Sequence, residues 1–299
     1  MEEQRKLNID VADSISQLRE YLKEFEVKTK RYNIFFRGKS FEFDGYRPYT
    51  EGDDVSYIDW KASARSDKPL VKQYKEEENM KILFIVDVSE NMIFGSTKKL
   101  KCEYAAEIVL GLSYILSIYA NKVAYILFND KVVDFSIPRG GLNSFYRFSD
   151  IISKTDTYGG RSKIDVAIDF ALDNFDASIS AVVLISDFLG FNKNMKRYLD
   201  LISNKYETLG IMVRDPLDKT LPNIQGEFIL EDPNTGQQLL VEPGIARKTY
   251  ERHALKQETF VKESFKNSSI DLLSLSTDEA WVIKLTNFIK DRAASRVTA

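Results

Sequence analysis

Two residue types that carry much of enzyme chemistry are nearly missing from this 299-residue chain, which has one cysteine, Cys102, and one histidine, His253. A single cysteine excludes an intramolecular disulfide and favours a reducing, cytoplasmic setting. Its flanks, Leu100 to Tyr104, read as helix, so a packed thiol is expected. His253 lies among Arg, Lys and Glu in a helical stretch and reads as a surface residue. With no second histidine, Ser-His-Asp and Cys-His nucleophile systems have little support. No Gly-x-x-x-x-Gly-Lys-[Ser/Thr] loop occurs, so the chain is not itself a P-loop ATPase. Long apolar runs are lacking as well. Ile108 to Ala120 comes nearest to the roughly 18 residues that span a bilayer, and Ser and Tyr interrupt it. The opening Met-Glu-Glu-Gln-Arg-Lys leads into no apolar core of the secretory kind. Finally, 42 Lys and Arg against 45 Asp and Glu leave a formal charge of -3. That balance gives no concentrated basic face for nucleic acid. The expectation is a soluble, cytoplasmic protein with no membrane span and no nucleic-acid partner.

What the chain does have is core material: 43% of residues are hydrophobic and 12% aromatic, ample for a packed interior. Val11, Ile15, Leu18, Leu22 and Phe25 recur at helical spacing, predicting a helix from Ile9 to about Lys30. Between Tyr32 and Met80 aromatics, Gly and Pro are dense and Phe41-Glu-Phe alternates as a strand would. Residues 1–79 therefore read as an N-terminal helix and a small β-rich module. From residue 80 to 299 strand and helix patterns alternate, which implies βαβ units and a mainly parallel sheet flanked by helices. An insertion near 222–243 carries Asp-Pro-Asn-Thr-Gly between two apolar triplets and reads as a β-hairpin.

The chemistry is expected at strand ends. Lys81-Ile-Leu-Phe-Ile-Val-Asp87 is an apolar run that stops abruptly at an acid, followed by Ser89 and Asn91 at alternate positions. A buried parallel strand looks like this when it delivers oxygen ligands at its carboxyl end. The same residue types also favour helix N-caps, so capping is the competing reading. A second apolar run, Ala181 to Asp187, again ends in an acid. In open α/β sheets ligands sit outside the carboxyl ends of the strands. Gly159-Gly-Arg-Ser162 adds a tight loop and a third hydroxyl ahead of an amphipathic helix. Asp87, Ser89, Asn91, Ser162 and Asp187 together offer an oxygen-only shell suited to Mg²⁺ or Mn²⁺. Asp165, one step into that helix, is read as an acid favouring the helix dipole.

This arrangement resembles the von Willebrand factor A fold, a Rossmann-like α/β domain, and its metal-ion-dependent adhesion site. The pattern there is Asp-x-Ser-x-Ser, a Thr in a later loop and an Asp ending a later strand. Asn91 stands where the second Ser is usual, and Ser162 where Thr is usual. Upstream, Arg47-Pro-Tyr49, Gly52-Asp53-Asp54, Ile58-Asp59-Trp60 and Ser63-Ala64-Arg65 resemble the signature of the prokaryotic domain of unknown function 58 family. Ser56 replaces an Arg that the family often carries three residues before that Asp. Read physically, these blocks look like turn and anchoring chemistry: Asx turns, a buried indole, and pairs of Asp53, Asp54 or Asp59 with Arg47 or Arg65. They lock the module onto the main domain or form a partner surface.

The resemblance implies a non-enzymatic, metal-dependent adaptor whose cation accepts a partner's carboxylate. It further implies work with a MoxR-type AAA ATPase in complex assembly or metal insertion. Two alternatives stand beside it: a metal-dependent phosphoesterase using the same acids, and a metal-free scaffold in which the fold alone docks the partner.

Overall fold

The structure, a computed structural model, describes residues 6–26, 43–50, 53, 58–66, 68–74, 79–224, 226–231 and 236–297. The expected first helix is α1 (Val11–Glu26), and it buries Leu18 against the main core. β1 (Phe43–Pro48), the single-turn α2 (Trp60–Ser63) and β2 (Leu70–Tyr74) follow. β1 and β2 pair antiparallel in a separate two-stranded sheet.

The rest alternates as the sequence pattern predicts: β3 (Lys81–Asp87), α3 (Lys101–Ile118), β4 (Lys122–Phe128), β5 (Val132–Arg139), α4 (Leu142–Ile152), α5 (Ile164–Asn174), β6 (Ala181–Ser186), α6 (Lys196–Lys205), β7 (Glu207–Arg214), the hairpin β8 (Phe228–Glu231) and β9 (Gln238–Val241), α7 (Pro243–Asn267), β10 (Asp271–Ser276) and α8 (Trp281–Val297). Six strands form one sheet in the order β10-β7-β6-β3-β4-β5. All neighbours are parallel except β4 and β5. β3 and β6 lie in the middle with both faces covered, which is why each reads as an unbroken apolar run. β5 is the edge, alternates in exposure and tolerates Pro138 there.

One core packs α1, α3, α4 and α8 on one face, and a second packs α5, α6 and α7 on the other. The helix after β3 thus covers one face and the helix after β6 the opposite one. Between those two adjacent strands the connections diverge and leave a crevice at their carboxyl ends. Asp87 and Asp187 both sit at that crevice.

Candidate functional site

Asp87 is the last residue of β3 and is 1% exposed. Its Oδ1 accepts the Ser89 amide at 2.9 Å, the Asx-type bond that turns the chain out of the strand. Its Oδ2 accepts two hydroxyls, Ser162 Oγ and Ser186 Oγ, each at 2.6 Å. The loop bearing Ser162 is stitched to this turn by backbone bonds, Gly159 N to Val88 O and Glu90 N to Gly160 O. Asn129 Nδ2 donates to Gly159 O at 2.6 Å. Gly160 has φ +71°, and a Cβ there would come within 3.0 Å of Asp130 Oδ1. A glycine is required by both the conformation and the close approach.

Asp187, directly after β6, is fully buried. Its Oδ1 accepts the Leu189 amide at 2.9 Å, and its Oδ2 accepts Lys101 Nζ at 2.7 Å. Lys101, in the first turn of α3, is 1% exposed and lies 3.2 Å from Asp218 Oδ2 as well. Burial works against the Lys101 ammonium, but Asp187 and Asp218 outweigh it and hold the group above its ordinary value. Burial pushes Asp87 up, the neighbouring Asp187 charge adds to this, and the hydrogen bonds from Ser162, Ser186 and Ser89 oppose it. Burial also raises Asp218, with Lys101 opposing.

One buried oxygen in this constellation stands apart: Ser89 Oγ, in a fully buried residue, makes no hydrogen bond of normal geometry among the described residues and reaches the Asp87 carboxylate only loosely. A buried hydroxyl left without a partner costs about 1–3 kcal/mol unless something else satisfies it. Ser162 and Ser186 donate their protons to Asp87 and so keep lone pairs available. The donor set is therefore all oxygen, as a hard divalent ion requires. Among the described residues no cluster of three or more His, Cys, Asp or Glu is placed to hold a metal. Any cation here must lean on serine hydroxyls. Asp87, Ser89 and Ser162 offer oxygens of the kind such an ion takes, while Lys101 already engages an oxygen of Asp187.

Four of the five expected residues thus converge: Asp87, Ser89, Ser162 and Asp187. Asn91 falls in a 3₁₀ turn, Glu90–Ile93, and lines a cleft beside Lys101 and Asp218. That cleft, about 750 Å³, is walled mainly by Phe94, Leu189, Leu217, Leu221, Leu239 and Tyr250. Sequence reading missed Lys101, Ser186 and Asp218. Ser186 adjoins the expected Asp187 at the strand end. Lys101, Glu103 and Glu107 are charges inside a helix otherwise apolar and buried on nearly every side, and that was the available signal. The two glutamates tie down the chain entering α1, accepting the amides of Asn8 and Asp10.

In the module, Arg47 and Asp53 form the anticipated acid–Arg pair, a two-pronged contact at 2.5 and 2.6 Å. Arg47 holds Asp53 well below the usual carboxylate range. Asp59 caps α2 through Lys61 N and Ala62 N and accepts Tyr46 Oη. Tyr49 N bonds Pro69 O, Arg65 is exposed, and Gly52 and Asp54 lie outside the described residues. The expectation of a buried indole is corrected: Trp60 is 65% exposed, because single-turn α2 buries none of its residues.

Counted in chain order within the six-stranded sheet, the strands run 3-2-1-4-5-6 with an antiparallel edge, and two acids end the first and fourth. These features define a von Willebrand factor A-like α/β domain. The family described as "Protein of unknown function DUF58" matches residues 45–260, and the chain belongs to it. Among curated relatives, uncharacterized protein Rv1480 of Mycobacterium tuberculosis is 29% identical over 250 residues, 82% of this chain and 78% of that one. Uncharacterized protein MAV169 of Mycobacterium avium is 32% identical over 136 residues, 45% of this chain and 78% of its own. Among solved structures, BatB of Bacteroides thetaiotaomicron aligns with TM-score 0.47 at 14% identity, covering 72% of this chain and all of that one. The SpRpn10 VWA domain aligns with TM-score 0.41 at 15% identity, over 71% and 95%. No helix among the described residues is long and apolar enough to cross a membrane.

Proposed function

We propose that this protein is a non-enzymatic interaction module that takes a partner's carboxylate through a divalent cation, Mg²⁺ or Mn²⁺, at the Asp87–Asp187 crevice. The observation that carries this reading is the Ser89 hydroxyl, buried beside Asp87 with no well-formed hydrogen bond among the described residues, where the converging side chains other than Lys101 offer only oxygen. Charge supports it too: Lys101 is shared between Asp187 and Asp218, whereas Asp87, beside the Asp187 charge, has only hydroxyl and amide partners. When bound, such an ion supplies a hard acceptor position for one more anionic oxygen. Asp87 and Asp187 would provide the carboxylates and Ser89 and Ser162 the hydroxyls, with Asn91 set apart in the adjoining turn at the cleft. The apolar cleft next to them would take the side chains flanking the partner's acid. Family resemblance supports a MoxR-type AAA ATPase as the partner and an adaptor role in complex assembly or metal insertion.

A metal-free scaffold is the second reading, and one observation favours it: Lys101 already neutralises Asp187. Affinity capture from native lysate, with Mg²⁺ or with EDTA and alongside Asp87→Ala, separates the two. An AAA ATPase retained only with metal and intact Asp87 supports the adaptor reading. Its capture regardless of both favours the scaffold.

A further inference from the structure

We infer that Lys101 is a tethered cation that shares Asp187 with the divalent ion and has a second seat at Asp218, so that it sets the site's cation affinity and couples occupancy to the apolar cleft. This rests on the cation reading above. Lysine is almost never fully buried unless paired, and Lys101 is buried in the interior of the fold. Its ammonium lies 2.7 Å from Asp187 Oδ2, while Asp187 Oδ1 accepts the Leu189 amide. Lys101 thus holds one of the two oxygens that Asp187 could offer an incoming cation. Asp218 stands ready as the alternative, 3.2 and 3.5 Å from the same nitrogen through its two oxygens. Asp218 is itself fixed by accepting the Asp215 amide at 2.8 Å. Lys101 Nζ already lies within reach of both acids, so moving toward Asp218 alone is a shift of a flexible side chain.

The consequence reaches the cleft. Lys101 and Asp218 both line it, and the ammonium lies 5.6 Å from the centre of the Phe94 ring, another wall residue. A cation that displaces the ammonium from Asp187 changes the charge and shape that a docking segment meets. A ligand that favours the displaced arrangement must in turn tighten cation binding, because coupling between sites is reciprocal.

The test is Mn²⁺ affinity of the full chain by calorimetry, for wild type, Lys101→Met, Asp218→Asn and the double variant. Removing the internal competitor should tighten Mn²⁺ binding by at least about fivefold. Removing the second seat should weaken it, and that weakening should shrink in the Lys101→Met background. A simple loss of negative charge would instead weaken binding equally in both backgrounds. Should Lys101→Met fail to fold, Asp218→Asn still decides: unchanged Mn²⁺ affinity overturns the inference. Unchanged or weaker binding by folded Lys101→Met, with Asp87→Ala abolishing it, overturns the role of Lys101 and leaves the cation reading standing. Absence of Mn²⁺ binding in both wild type and Lys101→Met overturns both. Binding that emerges only in Lys101→Met supports the inference.

Discussion

Arg47 and Asp53 meet across six residues at a half-exposed surface, whereas Lys101 and Asp187 meet across 86 residues in the interior. The first pair closes a local loop: Asp53 also accepts the Thr50 amide and hydroxyl, so turn chemistry and the guanidinium act on the same few atoms. The second pair has no local reason to form. It exists because the connections after β3 and β6 diverge and bring the start of α3 over the acid that ends β6. Water separates the two in energy as well. Charges that keep their hydration gain little by pairing, while buried charges depend on each other. The interior pair is therefore where sequence changes should matter most.

Lys101→Met should have the largest effect. It preserves side-chain length but removes the ammonium that Asp187 and Asp218 share. Removing one member of a buried pair costs about 3–5 kcal/mol. Urea unfolding in EDTA should show that loss, and excess Mn²⁺ should restore part of it. A loss below about 1 kcal/mol, the scale of exposed pairs, would mean that the interior site is hydrated and the contrast false.

Gly160→Ala should come next. At φ +71° an alanine costs about 1–2 kcal/mol, and its Cβ presses on Asp130 and Asn129. Since this loop presents Ser162 to Asp87, Mn²⁺ affinity should fall along with stability. If stability falls while Mn²⁺ affinity holds, Ser162 is not a ligand.

The two sites also differ in how readable they were. Asp87 and Asp187 were legible because an apolar run that ends in an acid is a strong local pattern in a strand buried on both faces. The Gly159-Gly160 loop was legible for a similar reason, since two glycines before a polar residue and a helix specify a turn. Arg47 and Asp53 were legible only as one of several acid–Arg combinations, among Asp53, Asp54 or Asp59 with Arg47 or Arg65. Lys101 and Asp218 were not, because what they face depends on how a helix and a distant loop pack over the sheet. Trp60 failed differently: large aromatics usually find a core, but the single turn of α2 has no buried face to give it.

Asp53→Asn should alter stability less than either interior change, and its signature is in pH. Asp53 is held below its ordinary value of 3.8 by Arg47 and the Thr50 amide. Its contribution is present above that value and is lost as pH falls through the depressed one, because the native state then binds fewer protons than the unfolded chain. Wild type should therefore lose stability relative to Asp53→Asn below about pH 4, and the difference between them should be flat above it. The carboxyl carbon resonance of Asp53 followed by NMR provides the direct check. A midpoint at the ordinary value would show that the surface pair is not formed in solution.

The smallest expected effect has the opposite sign and bears most directly on function. Ser89 Oγ makes no hydrogen bond of normal geometry among the described residues, so Ser89→Ala removes a group that is poorly satisfied when no cation is bound. In EDTA the variant should match wild type or exceed it, the relief of the poorly satisfied hydroxyl being partly offset by the small cavity its removal leaves. With Mn²⁺ the order should reverse, because wild type gains stability by mass action and the variant has lost a ligand. The two melting curves should therefore cross as Mn²⁺ is added. A hydroxyl buried only for packing would give the same difference at every concentration. Parallel curves would remove Ser89 from the ligand set and, with it, the observation on which the cation reading stands.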